Sequence, residues 1–216
     1  MRPRFILASG SPRRRQLLSE AGYEFEVISP PVDEVAHGWL TIRELTIWNA
    51  ARKAARVSRM IPDAVVLAAD TLVTIDHEVL GKPRDLEDAV RILRRLSGRA
   101  HEVWTAVRIN HAARGRAQSF HEMSRVHFRE LNDRAIRDYL AKIDPLDKAG
   151  AYAAQGYGTE IIERVEGSYS NVVGLPMERT TRALHAFGVT ASRSSKSQNP
   201  NPREIPILKD PKERRG

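Results

Sequence analysis

Leu7-Ala8-Ser9-Gly10-Ser11-Pro12-Arg13-Arg14 carries a short apolar stretch into two hydroxyls, a proline and paired guanidiniums. The apolar residues predict a strand, and the proline predicts the first turn of a helix, where its missing N–H costs nothing. Ser11 is placed to cap that helix, and Gly10 allows a tight turn between the two elements. Arg13 and Arg14 then fall where free backbone N–H groups already favour an anion. The same eight residues would also serve as an ordinary strand-to-helix connection with a basic turn, so the rest of the chain has to decide between the two.

Working outward, periodicity predicts a strand at Arg4–Ala8, a helix from Pro12 to about Ala21 and a strand at Glu24–Ile28. Ile42–Met60 has apolar residues at helical spacing. Ala64–Ile75 is an apolar, β-branched run that turns through Asp76-His77-Glu78 into Val79-Leu80, the pattern of a hairpin. A helix at Leu86–Leu96 ends at Ser97-Gly98. Strands at Glu102–Asn110 and Ser119–Phe128, a helix at Asp133–Ile143, a strand at Ile161–Val165 and a helix at Pro176–Phe187, closed by Gly188, complete the order. The mixture predicts an α/β fold, a twisted mixed β-sheet flanked by helices, with residues 1–189 forming one domain.

Composition narrows the function. The chain has no cysteine, which removes disulfides, thiolate metal sites and cysteine nucleophiles and fits a reducing compartment. No apolar run approaches the roughly 18 residues of a membrane span. Phe5-Ile6-Leu7-Ala8 is shorter than the apolar core of about 7 to 15 residues in a secretory signal, so a cytoplasmic location is expected. The glycine spacing of a Walker A loop is missing around Gly81-Lys82-Pro83, and Gly156-Tyr157-Gly158 lacks the third glycine of a dinucleotide fingerprint and opens no evident helix. His77, His101 and His121 each precede a glutamate without the second histidine of a zinc-protease helix. The net charge of +8 suits a polyphosphate substrate as well as a nucleic acid, but the few aromatics form no stacking platform.

Two further segments carry candidate chemistry. Asp70 interrupts the apolar run Val65 to Val73, where an unpaired carboxylate would be costly to bury, so it should meet a cation or a polar surface. There it can take a proton from water or help hold a divalent metal, or it can simply stabilise a strand end. Asp147 to Gly156 and Gly167 to Pro176 concentrate small residues, the first with Gln155 offering both a donor and an acceptor to a base edge.

The turn at Ser9 to Arg14, Ala69-Asp70-Thr71, Gly81-Lys82-Pro83, Leu96-Ser97-Gly98-Arg99, the Asp147 block and Ser170 to Pro176 follow one another in an order that closely resembles the Maf family of nucleoside triphosphate pyrophosphatases, over about Phe5 to Phe187. The resemblance implies a two-lobed, inosine-triphosphatase-like α/β fold with a nucleotide in a central cleft. It also implies release of a nucleoside monophosphate and pyrophosphate, a divalent cation such as Mg²⁺ or Mn²⁺, and a homodimer. By the same resemblance Asp70 matches the proton acceptor, and Ser9, Arg13, Arg14, Lys53 and Lys82 match positions around the triphosphate. Glu34 matches an acidic position near the metal or the attacking water, which makes Glu34 and Asp70 the candidate metal ligands. Arg13, Thr71 and Gln155 match positions linked with substrate choice, in the manner of the dTTP and UTP branch rather than the 7-methyl-GTP branch. The family's link with septum formation keeps a nucleic-acid-binding or division-regulating role as the alternative.

Two features depart from the family pattern. Ile47-Trp48-Asn49 replaces a tyrosine-valine pair ahead of Lys53, and a basic tail follows the last helix. From Ala191 to Gly216 that tail holds seven Lys or Arg against three Asp or Glu, half of the net charge, with one short apolar patch at Ile205–Leu208. It is too poor in apolar side chains to offset its ordering entropy, and residues 190–216 are expected to be disordered. In a ¹⁵N–¹H spectrum its amides should cluster in a narrow, sharp set; dispersion like that of the core would refute this.

Overall fold

The computed structural model describes residues 3–32, 39–192 and 207–208. In chain order these form β1 (Phe5–Leu7), α1 (Pro12–Glu20), β2 (Glu26–Val27), α2 (Ile42–Met60), β3 (Val65–Ile75), β4 (Glu78–Leu80), α3 (Leu86–Leu96), β5 (Ala100–His111) and β6 (Arg116–Phe128). There follow α4 (Asp133–Leu140), the single turn α5 (Gly158–Ile161), β7 (Ile162–Glu166), the short α6 (Tyr169–Val173), α7 (Met177–Ala186) and β8 (Ile207–Leu208). Hydrogen-bonded neighbours run β2-β1-β3-β5-β6-β7-β8, with β4 on β3. β1 pairs in parallel with β2 and β3, whereas β3/β4 and β6/β7 are antiparallel, so the sheet is mixed as expected. Among the described residues no helix is long and apolar enough to cross a membrane.

The chain divides into two compact units. The first holds the described residues of Met1–Thr71, Thr105–Glu122 and Gly174–Ser197. β1 and the Val65–Ala69 part of β3 are covered on both faces, which is why they read as unbroken apolar runs, whereas β2 is exposed. Side chains alternate between the faces. Phe5, Leu7, Val65, Leu67 and Ala69 pack in one core with Leu18 of α1 and Ala183 and Leu184 of α7. Ile6, Ala8, Val66 and Ala68 pack in another against Ala54 and Val57 of α2. The register Phe5↔Val65 and Leu7↔Leu67 fixes which residues go to which core. α1 starts as its sequence predicts, with Pro12 in its first turn and the Ser11 hydroxyl accepting from Arg14 N. α2 opens on a capping box formed by Thr41 and Glu44.

The second unit holds the described residues of Leu72–Trp104, Met123–Val173 and Gln198–Gly216. Its β3–β4 hairpin turns through Asp76 and His77 with φ of 53° and 64°, between the paired Ile75 and Glu78. Two positive φ angles in a two-residue loop give the turn whose twist matches that of the strands. Arg99 secures it at 2.6 Å from the Asp76 carboxylate. The helical turns α5 and α6 occupy segments that the sequence leaves irregular, and the first follows the Gly156-Tyr157-Gly158 stretch from which no helix was expected. At four and five residues they are too short to show a period. α4 stops at Leu140 rather than Ile143 because the chain tightens there, with Lys142 N donating to Tyr139 O at 3.0 Å. Of the C-terminal tail, Ser192 N donates to Gly22 O at 2.8 Å, and Val165 and Glu166 pair in parallel with Ile207 and Leu208. The rest of the segment expected to be disordered lies outside the described residues.

His101 is a buried titratable group of the second unit. Its ring meets Phe128 and Tyr152 edge-on at 4.9 and 5.3 Å, and Nε2 lies 2.8 Å from the Tyr152 hydroxyl. Desolvation, with a smaller push from His127, lowers its pKa from the ordinary 6.5 to about 3. The folded chain therefore keeps His101 neutral while the unfolded chain protonates it, so stability is lost as pH falls below 6.5 toward 3. Between pH 7 and pH 5 the wild type should lose about 2 kcal/mol more than a His101→Gln variant in urea unfolding; parallel curves would refute the linkage.

Candidate functional site

In the first unit β1 ends at Leu7, opposite Leu67, and turns away into α1, while β3 runs on through Asp70 and Thr71. The helix start and the continuation of β3 thus meet at the carboxyl end of parallel strands, where α/β sheets hold ligands. Alternation along β3 sends Asp70 to the α2 face and Thr71 to the α1 face, and different partners collect on each.

On the α1 face the Arg14 guanidinium is held at three points. Nε donates to Gly174 O at 2.9 Å, one terminal nitrogen to Ser9 Oγ at 3.0 Å and the other to Thr71 Oγ1 at 2.9 Å. Ser9 is buried, and its hydroxyl also accepts from Ser11 N at 3.2 Å. Thr71 in turn lies 3.0 Å from the hydroxyl of Thr105, fully buried on β5. Gly174 has φ of 124°, which would strain any side chain; a Cβ there would make ordinary contacts with Thr71 Oγ1 at 3.6 Å and Arg14 Nε at 3.7 Å. Gly10 has a negative φ, and a Cβ there would stand 2.9 Å from Ser29 Oγ, so the serine hydroxyl would have to turn aside to admit a side chain. This arrangement orients a half-buried cation beside the N-terminus of α1, and both favour an anion.

On the α2 face Asp70 is only 3% exposed. Lys53 Nζ lies 2.7 Å from its Oδ1, and Asn49 Nδ2 donates to Oδ2 at 3.2 Å. Asn49 and Lys53 are four residues apart on α2 and so share its inward stripe. The expected cation for Asp70 is therefore Lys53. Asn49, part of the departure from the family pattern, is a second partner, and the i, i+4 spacing to Lys53 was the signal for it. Arg13 is half-buried on α1. Glu34 lies outside the described residues.

Lys82, Gln155 and the Asp147 block belong to the second unit. Lys82 is exposed, in a loop whose Gly81 O accepts from Gly150 N at 3.1 Å. The Asp147 block is braced by phenols. Tyr139 Oη accepts from Ala153 N at 3.0 Å, and Tyr169 Oη donates to Ala154 O at 2.9 Å. Burial raises the Tyr139 pKa to about 12, so it remains a neutral hydroxyl. Gln155, half-buried, follows these fixed carbonyls, and its own carbonyl accepts from Gly158 N at 3.4 Å. Sequence reasoning missed Tyr139, Tyr169 and Thr105, since a buried hydroxyl in an amphipathic element has no spacing that distinguishes it from core.

The Asp70–Lys53 pair is buried, so removing one partner leaves an uncompensated charge. Lys53→Met should destabilise the chain by about 3 kcal/mol in chemical unfolding, and adding Asp70→Asn should recover part of that loss. A Lys53→Met variant as stable as the wild type would show that the pair contributes nothing.

With this geometry in view, similarity to known proteins is informative. A family model described as Maf-like protein matches residues 4–187. The dTTP/UTP pyrophosphatase of Pelotomaculum thermopropionicum is 46% identical over 183 residues, covering 85% of this chain and 96% of that protein. Those of Carboxydothermus hydrogenoformans and Bdellovibrio bacteriovorus are each 43% identical, covering 86% and 87% of this chain and 99% and 100% of theirs. Among solved structures, the Ham1 protein of Staphylococcus aureus aligns with a TM-score of 0.41 at 11% identity, over 58% of this chain and 71% of its own. On the full-length sequence matches, the chain belongs to the Maf-like protein family.

Proposed function

We propose that this protein hydrolyses dTTP and UTP to the nucleoside monophosphate and pyrophosphate. The observation that carries the proposal is that relatives at 40–46% identity, matched over 96–100% of their length, share the name dTTP/UTP pyrophosphatase. The chemistry of the first unit supports it. Water attacks the α-phosphorus, the bond to the α,β-bridging oxygen breaks, and pyrophosphate leaves with the electron pair; Asp70 accepts the proton of the water. Ser9, Arg13 and Arg14 bind phosphate oxygens at the start of α1. By the family resemblance Lys53 and Glu34 join this charged set, Lys82 of the second unit is a further phosphate candidate, and Thr71 and Gln155 are the candidates for substrate choice. The Lys53 ammonium lies 2.7 Å from Asp70 Oδ1. Phosphate oxygens compete for that ammonium, so substrate binding would release Oδ1 for the proton.

Among the described residues no three His, Asp or Glu side chains cluster so as to hold a metal ion. A divalent cation is read here as part of the substrate, arriving on the triphosphate with phosphate oxygens as its chief ligands and Asp70 or Glu34 as the protein's contribution. Its assembly as a homodimer and its location in the cytoplasm are further parts of this reading.

Pyrophosphate release from a panel of nucleoside triphosphates with Mg²⁺ or Mn²⁺ tests it. The wild type should favour dTTP and UTP, and Asp70→Asn should lower kcat by at least about 100-fold with a much smaller change in KM. Preference for 7-methyl-GTP would overturn the substrate, near-normal turnover by Asp70→Asn would overturn the base, and no release from any nucleotide would overturn the reaction.

A further inference from the structure

We infer that Thr105 is a positioning residue for the phosphate-binding arginine, acting through Thr71. Thr71 and Thr105 stand on the neighbouring strands β3 and β5, at positions whose alternation faces the apolar core of Leu67, Ala69, Val107 and Ile109. On that face valine would fill the space of threonine without a hydroxyl to satisfy, so packing alone gives no reason for two hydroxyls there. Their hydroxyls lie 3.0 Å apart, with Thr105 fully buried.

The direction of the bond follows from Arg14. Its guanidinium donates to Thr71 Oγ1 at 2.9 Å, which polarises the Thr71 hydroxyl and makes it the better donor toward Thr105. Hydrogen positions are assigned by this network: Arg14 to Thr71, and Thr71 to Thr105. With Thr105 as acceptor, Thr71 holds the rotamer in which its lone pair faces Arg14. Without that acceptor, Thr71 can turn its proton elsewhere or leave the rotamer, and one of the three points fixing the guanidinium is lost. The Nη2 nitrogen then loses its hydroxyl acceptor while the contacts of Nε to Gly174 O and of Nη1 to Ser9 Oγ stay. Because a guanidinium recognises phosphate through the orientation of its N–H fork, the loss appears in substrate affinity rather than in the chemical step.

This inference rests on the proposal that Arg14 binds the substrate's phosphates, and two measurements keep the two apart. In the ligand-free protein, hydrogen exchange at Arg14 Nε, identified by its disappearance in Arg14→Lys, should accelerate at least about fivefold in Thr105→Val and return toward wild type in Thr105→Ser. In steady-state assays Thr105→Val should raise KM for the preferred nucleotide about 5- to 20-fold with kcat within about twofold, and Thr105→Ser should restore KM. The double variant Thr105→Val/Arg14→Lys should be no worse than Arg14→Lys alone, since both changes act on one contact. Unchanged exchange, a fall in kcat with KM constant, or additive losses in the double variant would each overturn the role. If the wild type releases no pyrophosphate at all, the proposed function fails, and the exchange measurement still decides whether Thr105 fixes Arg14.

Discussion

A carboxylate inside a strand that is covered on both sides has to be compensated by an element that reaches it, and in this protein only the geometry of α2 on β3 makes Asp70 tolerable. Asp70 follows the apolar run Val65 to Ala69 and is almost fully buried. Its ammonium partner comes from the same helix stripe that packs Ala54 and Val57 against Val66 and Ala68. Packing and charge compensation therefore rest on one helix rotation. A turn of α2 by one residue would break both, because Lys53 and Asn49 reach Asp70 only while they lie on the stripe that the alanine and valine define.

The opposite face of β3 works differently. The acceptors described above for Arg14 are two hydroxyls and a carbonyl. Neutral acceptors orient a guanidinium without cancelling its charge. The one strand thus presents a neutralised carboxylate to one side and an oriented cation to the other, one residue apart. The alternation of side chains along β3 separates these two environments without requiring a second strand.

Much of the fold was legible because its elements are long or sharply bounded. Ile42–Met60 and Leu86–Leu96 are helices with the ends that their apolar period and caps predict. The one-turn helices at Gly158–Ile161 and Tyr169–Val173 were not legible, since four or five residues cannot display a 3.6-residue repeat. At the site, the need of Asp70 for a cation was evident from its apolar neighbours, and the helix start at Ser11 was evident from Pro12. That Lys53 supplies the charge required knowing how α2 lies on the strand. The part taken by Thr105 could not be read at all, because a threonine in a β-branched strand looks like any other strand residue until its hydroxyl is found against another. Glu34 lies outside the described residues, so its place at the site rests on resemblance.

The alternation of β3 also bears on how the chain reaches its fold. Parallel β1 and β3 pair through only three residues each, Phe5 to Leu7 with Val65 to Leu67, and all six are apolar, so side-chain type alone discriminates poorly between neighbouring registers. A one-residue slip of β3 that moves Asp70 to the place of Ala69 would carry it into the core of Leu18, Leu184 and Phe187, away from the Lys53 ammonium, at a cost of several kcal/mol. The carboxylate thus proofreads strand pairing: the group placed for chemistry makes the misregistered sheet the expensive one.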